Sequence, residues 1–105
     1  MDERLDPLLL SQLRLSVIAY LMVAREAEFN ELKEKTGATA GNLSAQLSKL
    51  SEAGYVEITK TFRKNYPLTI CRITPTGIQA FEDFYSALSS YLDQAKTHIH
   101  KEGPH

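Results

Sequence analysis

Two helical stretches parted by a single break constrain this chain more than any other feature: Asn30 to Thr36, then Thr39 to Ala53. The first ends at Gly37, where a residue without Cβ can take the left-handed backbone that closes a helix free of steric cost. Thr39 is placed to reopen the chain as the N-cap of the second helix. In that helix Leu43, Leu47 and Leu50 recur at i, i+4 and i+7, a single core-facing stripe. The opposite face carries Thr39, Gly41, Asn42, Ala45, Gln46, Ser48 and Lys49, with no carboxylate before Glu52. Solvated helices normally mix charges of both signs, so a carboxylate-free face implies an anionic partner lying against it.

The flanking segments read as the support for that pair. From Pro7 to Arg25 the chain reads as one helix, with proline near the first turn, where its missing N–H is harmless. Leu10, Leu13, Val17, Ile18, Leu21 and Met22 form one face, yet Leu9, Leu15, Tyr20 and Val23 spread round the cylinder. A helix apolar on more than one side is buried on more than one side, here in part against a second chain. Phe29 reads as a short extended approach to the core. Beyond Gly54, Tyr55 to Lys60 alternates as a strand with Val56 and Ile58 on one face, and Leu68 to Ile73 pairs with it. The connection 61–67 reads as a longer, mobile hairpin loop.

Thr74 and Pro75 then open a last helix over about 75–97. Ile78, Phe81, Tyr85, Leu88, Leu92 and Ala95 follow at 3,4 spacing, widened by Phe84 and Tyr91. A helix of ~20 residues spans ~30 Å, as wide as a small domain, so its far half outruns its own core. The economical cover is a second copy in a two-fold homodimer, with Leu9, Tyr20, Phe84, Tyr85, Leu88, Tyr91 and Leu92 as the expected interface. Residues 1–97 form the expected single domain and 98–105 a flexible tail.

A chain of 105 residues, 43% hydrophobic and 24% charged, fits one globular domain. The acidic N-terminus lacks the pattern of a signal peptide, and no apolar run reaches the ~20 residues that cross a bilayer. A cytoplasmic protein without membrane contact is expected. The net charge of −1 is low for a nucleic-acid binder, but it is unevenly spread: −3 over residues 1–34, +4 over 35–73 and −2 over 74–105. The positive charge is concentrated where the second helix and the hairpin lie, a one-sided footprint for an anion.

Catalysis finds no foothold, for there is no glycine-rich phosphate loop, nucleophile elbow or histidine with an evident carboxylate partner. No cofactor and no metal site are expected. His98, His100 and His105 lack a cysteine or carboxylate cluster to complete a tetrahedral site. Cys71, the lone cysteine, reads as a small apolar strand residue, with a redox switch as the alternative.

The run from Leu47 to Ile58, the basic hairpin after it and the segment from Ile73 to Gly77 together resemble the winged-helix regulators of the MarR and ArsR type. The likeness is greatest to small single-domain archaeal and bacterial members, and covers about Leu8 to Leu92. It implies a mainly α, α+β fold: a winged helix-turn-helix at about 30–53, a three-helix core, a wing at about 55–73 and a long C-terminal dimerisation helix. It also implies a homodimeric repressor on an inverted repeat of double-stranded DNA. A cleft between the first and last helices could take a small apolar or aromatic effector, but no convergent polar residues announce one. Of the residues facing outward, Asn42 and Gln46 can pair bidentately with adenine, and Thr39 and Ser44 can join them at base edges. Ser48, Lys49, Lys60, Arg63 and Lys64 suit phosphate or wing contacts, Arg63 being the candidate for the minor groove. A protein-interaction module built on the same scaffold is the alternative, supported by the low net charge.

Overall fold

Leucines from nearly every segment meet in one sealed cluster: Leu9, Leu21, Leu32, Leu43 and Leu50 have no solvent exposure at all. The computed structural model describes residues 4–102. The chain opens with a 3-10 turn, Pro7–Leu9, whose Leu8 N–H donates to Asp6 Oδ1 at 3.0 Å. Helix α1, Gln12–Ala24, starts only after Ser11, whose hydroxyl accepts from the Arg14 N–H at 3.3 Å. The single helix expected from Pro7 is therefore broken, because Ser11 is an N-cap rather than an interior residue. The break turns Leu9 into the protomer's own core and leaves Leu10 60% exposed. Leu9 thus cannot serve as the expected interface residue.

Arg25 closes α1 at a φ of 71°, and its carbonyl accepts from the Ile73 N–H at 3.0 Å. Strand β1, Glu26–Glu28, follows, then helix α2, Phe29–Thr36, which Phe29 begins rather than approaching as extended chain. Gly37 stops α2 in the left-handed region at φ 71°. Helix α3, Ala40–Glu52, is capped by Thr39, whose Oγ1 accepts from the Asn42 N–H at 3.2 Å.

Strands β2, Val56–Arg63, and β3, Tyr66–Ile73, form an antiparallel hairpin. The third strand, β1, pairs on the far side of β3, giving the order β1-β3-β2 with Ala27 and Ile58 flanking Cys71. A hairpin alone was the expectation; three residues are too few to show a strand period. The expected seven-residue loop is also replaced. Both strands run to a two-residue turn, Lys64 and Asn65, at φ 50° and 68°. Positive φ at both positions matches the twist of the flanking strands, so the ladder continues to the tip.

Helix α4, Pro75–Glu102, is longer than expected and takes in residues 98–102 of the supposed tail. Residues 103–105 lie outside the described residues. Thr74 anchors its start, donating to the Gly54 carbonyl at 2.5 Å and accepting from the Gly77 N–H at 3.0 Å. A Cβ on Gly77 would sit 2.3 Å from the Tyr55 carbonyl oxygen, so α4 rests directly on the backbone that enters β2. Phe84 and Ala87 are buried, whereas Leu92 and Ile99 farther along are 59% and 61% exposed. Phe84 is thereby a core residue, not a surface for a partner. The outward reach of α4 makes the molecule 63 Å long against 27 and 21 Å across. Among the described residues no helix is long and apolar enough to cross a membrane.

Candidate nucleic-acid interface

Helix α3 is fixed from one side and open on the other. Leu43, Leu47 and Leu50 seal it to the core, while Thr39, Gly41, Asn42, Ser44, Ala45, Ser48 and Lys49 face solvent. Two of its polar groups are already engaged. The half-buried Arg14 of α1 donates through Nε to the Leu8 carbonyl at 2.6 Å and through Nη1 to Gln46 Oε1. Gln46 Nε2 in turn donates to Asn42 Oδ1 at 3.1 Å. The Thr39 oxygen caps the helix, which leaves the hydroxyl proton available as a donor.

Between α3 and the sheet lies a cleft of about 310 Å³, lined by Phe29, Ser44, Leu47, Ser48, Ile58, Lys60 and Thr69. It brings together Ser44, Ser48 and Lys60, which the sequence leaves on separate elements. Strand alternation accounts for Lys60: Val56 and Ile58 point into the core, and the next residue of that row stands over the cleft. Lys49 and Lys64 are exposed on either side, at the second half of α3 and the hairpin tip.

Arg63 is less free than its position in the sequence suggests. Its Nη2 lies 2.8 Å from Glu28 Oε2, with the two side chains 61% and 39% exposed. That pair spans from β2 to β1 across β3, whereas Arg72 and Glu26 form a second pair at 2.6 Å between β3 and its neighbour β1. The guanidinium of Arg72 is held protonated beyond its ordinary range by the hydrogen bond and charge of Glu26. Exposed pairs are worth ~0–1 kcal/mol, so a phosphate can compete for Arg63. Near the tip, Phe62 and Tyr66 are 72% and 75% exposed.

The remaining residues expected at an interface divide by environment. Tyr85 and Leu92 are exposed on α4, Leu88 and Tyr91 are half-buried, and the Tyr20 hydroxyl donates to Glu31 of α2. That hydrogen bond raises the Tyr20 pKa. An open hollow of about 630 Å³ lies between Asp6, Tyr55 and the first turns of α4, and α1 contributes nothing to it. Tyr55 donates to Asp6 at 2.5 Å there, which with burial pushes its pKa up to about 12. Cys71 is sealed in the sheet, and burial raises its thiol to about 11. It stays protonated at neutral pH, which disfavours the redox alternative. Among the described residues no group of three or more His, Cys, Asp or Glu is placed to hold a metal ion.

With a two-helix unit, an outward polar face and a basic hairpin beside it, the match to known families is specific. Residues 13–92 fit the model of the winged helix DNA-binding domain. The chain belongs to that family. A protein of Methanocaldococcus jannaschii, MJ0432, itself uncharacterized, is 42% identical over 74 residues, spanning 70% of this chain and 80% of that one. A transcriptional regulator homologue from Pyrococcus horikoshii superposes with a TM-score of 0.79 at 27% identity, over 84% of this chain and 87% of the other. NadR, in complex with 4-hydroxyphenylacetate, shares the fold at a TM-score of 0.63 and 19% identity, over 91% and 75% of the two chains. In this winged helix α2 and α3 make the helix-turn-helix, and β2 with β3 the wing, the architecture expected from sequence. Arg14 and Glu28 are the residues near the candidate DNA surface that sequence reasoning missed. Their partners lie 32 and 35 residues away, where no local pattern signals them.

Proposed function

We propose that this winged helix protein is a transcriptional repressor that binds an inverted-repeat site in duplex DNA as a homodimer. The carboxylate-free face of α3, set beside Lys60 across one cleft, carries the reading. The N-terminal half of α3 enters the major groove, with Thr39, Asn42, Ser44 and Gln46 at base edges. Ser48, Lys49, Lys60, Arg63 and Lys64 meet phosphates, the last three from the wing. Dimerisation falls to α4, where Tyr85 in its inner half and Leu92 and Ile99 in its outer half stand exposed, the last two where the helix has outrun its own core. A small effector enters the proposal through the ligand bound to NadR, and the hollow beside Tyr55 is the space this chain offers for one.

Selection of random duplexes on the purified protein tests this directly. The expected outcome is an inverted repeat whose half-sites lie about 10–10.5 base pairs apart or a multiple of that. Leu92→Asp should yield a monomer by light scattering and weaken binding to the full repeat. A selected site without dyad symmetry overturns the dimer, and a dimer unchanged by Leu92→Asp puts its interface elsewhere than on the outer half of α4. The exposed Phe62 and Tyr66 favour a second reading, a protein-interaction module. Failure to bind heparin or bulk DNA even at low salt would decide for it.

A further inference from the structure

The chain of hydrogen bonds running from α1 through α3 has a direction, and that direction bears on which base the helix accepts. A guanidinium offers only donors. Arg14, placed against Gln46, therefore requires the Gln46 oxygen to face it, and the Gln46 amino group must then face away. That amino group meets Asn42, whose own oxygen must turn toward it. The relay ends in the Asn42 amino group, on an exposed side chain in the first turn of α3. Arg14 is itself held by the Leu8 carbonyl, so the origin of the relay is fixed to the core-bound turn at Leu9.

The geometry points to Arg14 as a positioning residue that sets the polarity of the base-reading face, so that Asn42 presents a donor and selects guanine over adenine. This rests on the proposed reading of α3 as the major-groove helix. Guanine shows two adjacent acceptors there, N7 and O6, whereas adenine shows an acceptor and an amino donor. Pairing with adenine requires both the oxygen and the amino group of one amide, and the relay holds the oxygens of Gln46 and Asn42 turned inward. The adenine preference expected from the residue types alone is thereby changed by a residue on another helix.

The test is duplex selection on the full chain and on Arg14→Lys, Arg14→Met and Gln46→Glu, each shown folded by its thermal melt. The wild type should favour guanine over adenine at one position per half-site by about tenfold. Arg14→Lys keeps a donor against Gln46 and should retain that preference. Arg14→Met should lose it, beyond any uniform weakening from the lost charge. Gln46→Glu is the sharper probe, because a carboxylate accepts from both neighbours and reverses Asn42, turning its oxygen outward. Its preference should move away from guanine, toward a base that presents an amino donor, adenine or cytosine. A folded Arg14→Met or Gln46→Glu that keeps the wild-type base preference overturns the inference. A wild type that selects an inverted repeat with adenine at this position leaves the proposed function standing and removes the relay's role. A wild type that selects no sequence removes both.

Discussion

The reading helix and the wing hold their polar side chains by opposite means. On α3 a cation stands behind the surface, and Arg14 orders two neutral amides, the half-buried Gln46 and the exposed Asn42. On the wing the cation is itself at the surface, and the carboxylate of Glu28 restrains it. The first arrangement fixes donors and acceptors before any partner arrives, which is what discrimination between bases requires. The second keeps a charge in reserve that an incoming phosphate must win from an internal competitor. In the proposed complex specificity and salt-dependent affinity are thus separated onto two elements, and Gly77 lets α4 press on the chain that joins them at Tyr55.

The largest expected effect comes from disturbing that seat. Gly77→Ala places a methyl group against the Tyr55 carbonyl, where backbone rather than a flexible side chain must yield, and stability should fall by about 3 kcal/mol. Denaturant melts measure it; an unchanged midpoint would mean that α4 can slide. Asn42→Ala comes next, with a loss of about 1–3 kcal/mol at the selected site and relaxed choice at one base position. Equal losses on every duplex would remove Asn42 from reading and blur the contrast with the wing. Lys60→Ala combined with Lys64→Ala should act the other way, weakening all duplexes alike and flattening the log–log salt slope by about 2. Smallest is Glu28→Gln, which releases Arg63 and should tighten all duplexes by about 0.5 kcal/mol, most visibly at low salt. A weaker complex instead would show that Glu28 aims Arg63 rather than competing for it.

How much of this was legible in the sequence depended on whether the deciding contact was local. The stripe of Leu43, Leu47 and Leu50, the stop at Gly37 and the cap at Thr39 are written within a few residues, and α3 was readable to within a turn. Ser11 was equally local yet overlooked, because the apolar residues on both sides of it suggested a continuous helix. Strand β1 is three residues long, below what a period of two can reveal. The wing's turn carries Lys64 and Asn65 in place of the glycine pairs that usually announce positive φ, so a tight hairpin looked like a loop. The apolar recurrence along the last helix ends at Ala95, so its continuation to Glu102 lay beyond the period and reads from sequence as a fraying terminus. The Arg14–Gln46 link and the Glu28 pair were beyond reach, since only the folded chain brings their members together.

The two-residue turn gives the wing a mechanical character. Two eight-residue strands laddered to the tip make a hairpin roughly 26 Å long, its base in the core and its outer part a finger. A seven-residue loop would have to be ordered on contact, at about 1–2 kcal/mol for each residue fixed. The laddered finger has already undergone that ordering during folding. In the proposed complex it therefore adapts little, and misfit between tip and groove is borne by the duplex. The bending and groove width natural to a given DNA sequence then enter the binding energy at positions no side chain touches.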